Sequence, residues 1–179
     1  MRSLTKDESC DWLRKASFSV DEGRRTISFP DGKQYAFLLS LPSPIYRVSN
    51  FANSLILHKD KSSTSSESLI WLTDWGLWNE VHEKTGQFML QQIRRTHEDT
   101  ASAAEKPGQQ FDVSEEVALQ SFFILPILFS WDAYLAPQNG EYFVFNSHDE
   151  FLRVVSRSVQ THETLMAKMK DWNPRQILD

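Results

Sequence analysis

The densest apolar stretch of the chain runs from Leu119 to Asn146, LQSFFILPILFSWDAYLAPQNGEYFVFN, and the flanking pattern reads as cover for it. Phe122 to Phe129 is continuously apolar and has no period of its own. A buried helix and a buried strand both fit such a run. Its length, and Pro126, which removes a hydrogen bond inside a helix, favour a strand interrupted or bulged at the proline. Ala133 to Ala136 and Glu141 to Asn146 then face each other across Pro137-Gln138-Asn139-Gly140, where Asn-Gly tolerates the positive φ of a hairpin turn. Ser147 and Glu150 stand at the spacing of a capping box, which predicts a helix carrying Phe151, Leu152, Val154 and Val155. A last helix, about Val159 to Trp172, gathers His162, Leu165, Met166, Met169 and Trp172 on one face and ends at Asn173-Pro174.

Upstream, Asp7 to Ala16 predicts a short helix with Cys10 and Leu13, and Trp12 at their edge, on one side. Arg25 to Pro30 and Lys33 to Leu41 flank Pro30-Asp31-Gly32, and Asp-Gly between extended runs predicts a hairpin. Pro42 and Pro44 stop the second strand. Tyr46 to His58 has helical spacing, with a strand over Ser54 to His58 as the competitor, and the polar run from His58 to Ser66 reads as an exposed loop. Ser68 to Thr73 predicts a strand that enters a turn, Asp74-Trp75-Gly76-Leu77-Trp78. A long helix follows from about Asn79, its cap, to His97, with Val81, Thr85, Phe88, Met89, Gln92 and Ile93 as its apolar face. Gly86 weakens that helix or admits a close neighbour. Residues 97–110 read as a second loop, and Asp112 with Glu115 opens a short helix through Leu119. No period of 20 to 50 residues repeats. The expectation is one α+β domain over residues 1–179, with a mostly antiparallel sheet of about five to six strands covered by four to five helices.

Composition narrows the function classes. Hydrophobic residues at 40% and aromatics at 12% exceed what a disordered chain carries. The net charge is −5, and the 19 Lys and Arg residues form nothing longer than pairs, so no nucleic-acid partner is expected. A single cysteine, Cys10, makes no internal disulfide, and with no basic neighbour it reads as a small buried hydrophobe. No apolar run is long enough for a membrane span and the N-terminus lacks a signal-peptide core, which predicts a soluble cytoplasmic protein. Histidines at 58, 82, 97, 148 and 162 never form HExxH, so no metal is expected. Without GxGxxG, GxxxxGK or GxSxG, no cofactor is expected either.

Two constellations remain. Trp71, Asp74, Trp75 and Trp78 could present indole faces and a carboxylate to a ligand or partner, against the plainer reading that at least two of the tryptophans are core. Asp132, His148 and Asp149 could share a pocket at one end of the sheet as a general acid and base set, against the plainer reading that Asp149 and its neighbours serve a helix end. With no catalytic signature, the favoured expectation is a small protein-binding or regulatory module, for which immunity proteins of bacterial toxin systems are an analogy. The alternative is a small-molecule binder or hydrolase-type enzyme with a pocket near Asp132, His148 and Trp75.

Overall fold

A computed structural model describes residues 1–32, 34–56, 67–75 and 80–177. Among them the chain passes through β1 (Arg2–Leu4), α1 (Lys6–Lys15), β2 (Ser19–Asp21), β3 (Thr26–Ser28), β4 (Tyr35–Ser40) and α2 (Val48–Leu55). Then come β5 (Ser68–Asp74), α3 (Glu80–Arg95), β6 (Gly108–Phe111) and α4 (Glu116–Leu128). The chain finishes with β7 (Asp132–Pro137), β8 (Tyr142–Ser147), β9 (Phe151–Ser156), α5 (Val159–Lys168) and β10 (Arg175–Gln176). Eight strands form one sheet in the order β1-β6-β5-β7-β8-β9-β4-β10, and β2 with β3 forms a small ribbon. All its neighbouring strands are antiparallel. The α+β class therefore holds, with more strands than the sequence suggested.

The sheet is covered on both faces, which is why its central strands read as near-continuous apolar runs rather than clean alternations. Successive side chains of a strand point to opposite faces. Ile70, Leu72, Ala133, Leu135 and Val144 accordingly meet the core under α2, α3, α4 and α5. Leu69, Trp71, Tyr134, Ala136 and Phe143 meet a second core under α1 and the β2–β3 ribbon. Helix α1 is opened by a capping box between Thr5 and Glu8, and the β7–β8 hairpin turns at Gly140 (φ 65°) beneath the Ala16 carbonyl, where a Cβ has no room.

Five expectations need correction. The run from Phe122 to Leu128 belongs to α4, not to a strand, because the Asp112–Glu115 capping box starts a helix that continues to Leu128. No residue from Phe122 to Leu128 is exposed, so the run has no periodicity to read, and Pro126 costs the helix only the single bond its amide would have made to the Phe122 carbonyl. The Asp31-Gly32 turn exists, with Gly32 at φ 68°, but it does not close a hairpin. Strand β3 pairs instead with β2, through a turn in which the Asp21 carboxylate accepts from the amides of Gly23 and Arg24, while β4 joins the main sheet beside β9 and β10. Ser147 to Glu150 forms the β8–β9 turn, with Glu150 N–H donating to the Ser147 carbonyl at 3.2 Å, so Phe151 to Ser156 is strand and not helix. Residues within 97–110 contain the start of β6, whose Gln109 is buried and accepts from Ser3 Oγ at 2.9 Å.

The fifth correction concerns α3. Most of its expected apolar face points to solvent: Val81 is 75% exposed, Phe88 59% and Met89 40%, while Ile93 is half-buried against the core. The inward side carries Glu83, Gly86, Leu90 and Arg94. Two polar anchors hold this rotation. Glu83 accepts from Trp131 Nε1 at 3.1 Å and from Gln87 Nε2 at 2.9 Å. Arg94, fully buried, donates to the carbonyls of Ala101 at 2.8 Å and Lys106 at 2.5 Å. Burial lowers its pKa to about 10, which leaves it charged at neutral pH. Gly86 lies beneath Trp131 and Phe129, whose ring atoms stand 2.6 and 2.8 Å from where a Cβ would be. Asn79, expected as the cap, and the loop expected over His58 to Ser66 lie outside the described residues.

Candidate functional site

Asp132 is the first residue of β7, placed there by the sharp exit of the chain from α4 through Trp131. Its register partner on β5 is Asp74, across an irregularity between Leu72 and Asp74. The β8–β9 turn brings His148 back to the same end of the sheet. Asp132 Oδ1 accepts the backbone N–H of His148 at 2.7 Å and stands 2.9 Å from His148 Nδ1. Because a carboxylate only accepts, this contact makes Nδ1 the protonated nitrogen of the ring. Nε2 faces Asp149 Oδ1 at 3.6 Å.

The electrostatics follow from that cluster. The hydrogen bond from Asp132 raises the His148 pKa above the ordinary imidazole value, against a smaller opposing effect of burial, and the charges of Asp132, Asp149 and Asp74 act in the same direction. Next to Asp132 along β7, Tyr134 is pushed up to about 12 by burial and stays neutral. An imidazole oriented by a carboxylate can hold and release a proton. Among the described residues no hydroxyl or thiol is hydrogen-bonded to the His148 ring, whose polar neighbours are the carboxylates of Asp132 and Asp149. The turn itself explains much of the arrangement: Asp132 satisfies a turn amide, and Ser147 Oγ accepts from Asp149 N–H at 3.2 Å.

The tryptophan constellation does not assemble as one surface. Trp71 is 1% exposed and stacks on Tyr134 at 6.1 Å, which makes it core, the plainer of its two readings, and removes its indole from the binding candidates. Asp74 is exposed at the strand end. Trp75 is half-buried and borders two small clefts, of about 120 and 60 Å³. Trp78 lies outside the described residues. Of the residues singled out from sequence, the structure thus brings together Asp74, Asp132, His148 and Asp149, and leaves Trp71 apart from them in the core.

Cys10 is buried, and burial raises its thiol pKa, so it is not poised as a nucleophile. No group of three or more His, Cys, Asp or Glu side chains among the described residues has the arrangement of a metal site. No described helix is long and apolar enough to cross a membrane.

Two features were not singled out from the sequence. One is the outward apolar side of α3, whose spacing was legible but whose direction was not. The other is a groove of about 340 Å³ between α1 and the β1–β6–β5 end of the sheet. Its helix wall is the row Glu8, Asp11, Trp12 and Lys15, at spacings of three, one and three residues, a signal that a solvated helix face gives equally well. Comparison of the chain with protein-family models, with curated proteins and with solved structures finds no match.

Proposed function

We propose that residues 1–179 form one cytoplasmic domain that works as a protein-binding or regulatory module, engaging its partner through the outward side of α3. The observation that carries this reading is the inverted polarity of that helix. Glu83 and Arg94 are inside, while Val81, Phe88 and Met89 are outside. Isolated exposed apolar residues are common on any surface. Here three of them share one arc of one helix, and the buried polar anchors prevent the helix from rolling to hide them. Covering such an arc gives roughly 25 cal/mol for each Å² of apolar surface removed from water.

The occupant we assign is a partner protein that presents an apolar groove or helix with an acidic rim. Among the described side chains of α3, Arg95 in its last turn is an exposed cation. Electrostatic complementarity favours a carboxylate opposite it, and docking of an amphipathic helix into an apolar groove is a common recognition mode. Immunity proteins of toxin systems remain the analogy for a small acidic module of this type.

A photo-crosslinking amino acid at position 88 of the full chain, in extracts of the native host, tests the reading. The expected result is one specific adduct that Val81→Lys abolishes and His148→Ala leaves unchanged. An adduct formed only with a second copy of the chain, or none above the level seen with the crosslinker on the β2–β3 ribbon, would sink it.

The contact between Asp132 and His148 supports a second reading, a small-molecule binder or hydrolase-type enzyme with the imidazole as acid or base. It expects His148→Ala to abolish a ligand-induced melting shift or a hydrolytic activity with the fold intact. A variant that merely loses the order of 1 kcal/mol of stability, as removal of one turn-bracing hydrogen bond does, counts against it.

A further inference from the structure

We infer that the corner of the sheet left uncovered by the β2–β3 ribbon docks a second copy of this chain, in a two-fold dimer built on an aromatic strip flanked by opposite charges. Register partners share a face of the sheet, and one row of them runs from Tyr134 through Phe145, Arg153 and Leu38 to Arg175. In the adjoining row Phe143, Val155 and Ala36 are buried in the core beneath the ribbon. The cover stops between these two rows. Phe145, Arg153 and Leu38 are half-buried, and Arg175 is exposed. Phe151, on the far side of Phe145 from the ribbon and edge-on to it at 6.5 Å, is half-buried too.

Arg153 sets the charge of what covers this corner. Its Nε is fully buried, and no acceptor of a hydrogen bond from its guanidinium occurs among the described residues. Its register neighbours, Phe145 and Leu38, have no side-chain acceptor to give. Arg175, two strands away in the same row, has no ion pair among the described residues either. Buried polar groups ordinarily find partners, so two unpaired guanidinium groups beside apolar rings fit carboxylates brought from outside.

Such carboxylates stand on the other side of the same strip. Asp132 and Asp74 face each other at the ends of β7 and β5, and the β8–β9 turn adds Glu150 and Asp149, whose side chain is 70% exposed. The cations beside them are His148 and Arg25, whose Nη1 donates to the Thr73 carbonyl at 2.7 Å. The rest of the ribbon turn is neutral, with Asp21 paired to Arg24 and Glu22 to Arg14. That flank is therefore negative. A surface with a positive flank, an apolar middle and a negative flank is complementary to itself. A two-fold axis through the Phe145–Phe151 strip lays the arginines of each copy over the carboxylates of the other. Helix α3 packs on the opposite face of the sheet, so position 88 lies outside this interface and the reading of α3 stands or falls separately.

Sedimentation velocity of the full chain over a concentration series tests the dimer, with two charge-reversed variants. One carries Arg153→Glu and Arg175→Glu, the other Asp74→Lys and Asp149→Lys. The expected result is a monomer–dimer equilibrium in the parent, weakened about tenfold or more in each variant alone, where like charges oppose on both sides of the axis. Mixing the two variants restores a dimer with one copy of each, because both flanks then meet opposite charge. Val81→Lys leaves the parent equilibrium unchanged. A parent that stays monomeric throughout overturns the proposal. So does a dimer indifferent to both reversals, a pair of variants that fails to associate on mixing, or a dimer dissolved by Val81→Lys, which places the interface on α3. Arg175 and Asp149 are exposed, so Arg175→Glu and Asp149→Lys as single changes repeat the mixing experiment if either double variant fails to fold.

Discussion

Helices α3 and α4 touch on the same face of the sheet, yet they are held there by different physics. Helix α4 is apolar nearly all round, and Phe122, Phe123, Leu125 and Ile127 disappear into one continuous core. Its rotation matters little to the hydrophobic effect, which is proportional to area and has no direction. Helix α3 contributes Leu90 and part of Ile93 to that core and is otherwise fixed by Glu83 against Trp131, Arg94 against two carbonyls, and Gly86 beneath two rings. Directional hydrogen bonds and one close approach choose its rotation, and its apolar residues are left facing water. A helix with a clean apolar stripe thus shows most of the stripe to solvent, while the apolar run of a helix with no stripe is buried.

The largest effect expected from breaking this contrast is in α4. Phe122→Ala leaves a cavity in a fully buried site and should cost about 3–5 kcal/mol in urea unfolding. A value under 1 kcal/mol would mean that α4 is not the core element described. Next comes the anchor of α3. Arg94→Met keeps the volume but strands the carbonyls of Ala101 and Lys106, and should cost about 1–3 kcal/mol, with faster hydrogen exchange over residues 96–107. If instead the variant is as stable as the parent, polar anchoring does not set the rotation of α3.

A smaller effect, outside both helices, separates directional bonding from burial at the sheet end. The folded-state pKa of His148 is raised, so the protonated ring stabilises the fold. That contribution is fully present below the unfolded value near 6.5 and is lost as pH rises through the higher folded value. Because the ring is partly exposed, the change is modest. Melting temperature across that window should fall slightly with rising pH in the parent and lose this component in Asp132→Asn, with the imidazole titration by NMR moving toward the ordinary value. The smallest effect belongs to the outward side of α3. Phe88→Asp should change stability by no more than about 0.5 kcal/mol while removing partner crosslinking, since the residue touches water rather than core. A loss of several kcal/mol would show that Phe88 belongs to the folded core after all.

How far the site was legible follows the same line. Asp132, His148 and Asp149 were visible as residue types beside a hairpin, and the β7–β8 register was readable from Asn139-Gly140, which is why their neighbourhood was within reach of sequence. Asp74 was read with the tryptophans, because nothing local places β5 beside β7. Trp71 was weighed as a binding residue against the plainer reading that it is core, and its strand, buried on both faces, places it in the core. The groove beside α1 was not legible, because its sheet wall comes from β1, β6 and the β7–β8 turn, far apart in the chain.

By itself the sequence determined what short-range chemistry determines. The capping box at Asp112 and Glu115 starts a helix, the left-handed φ tolerated by Gly140 closes a turn, and the spacing from Val159 to Trp172 makes a helical face with Leu165 and Met169 inward. The antiparallel α+β class follows from such signals. Tertiary structure alone decided that Thr26 to Ser28 pairs backwards with β2 while β4 pairs with β9, that Ser147 to Glu150 is a turn, and which way α3 faces. Ser147 and Glu150 illustrate the reason: a serine hydroxyl that accepts an amide two residues on serves a turn or a helix start equally well. What breaks the tie is a partner distant in sequence, here the Asp132 carboxylate on the His148 amide, and no local pattern records it.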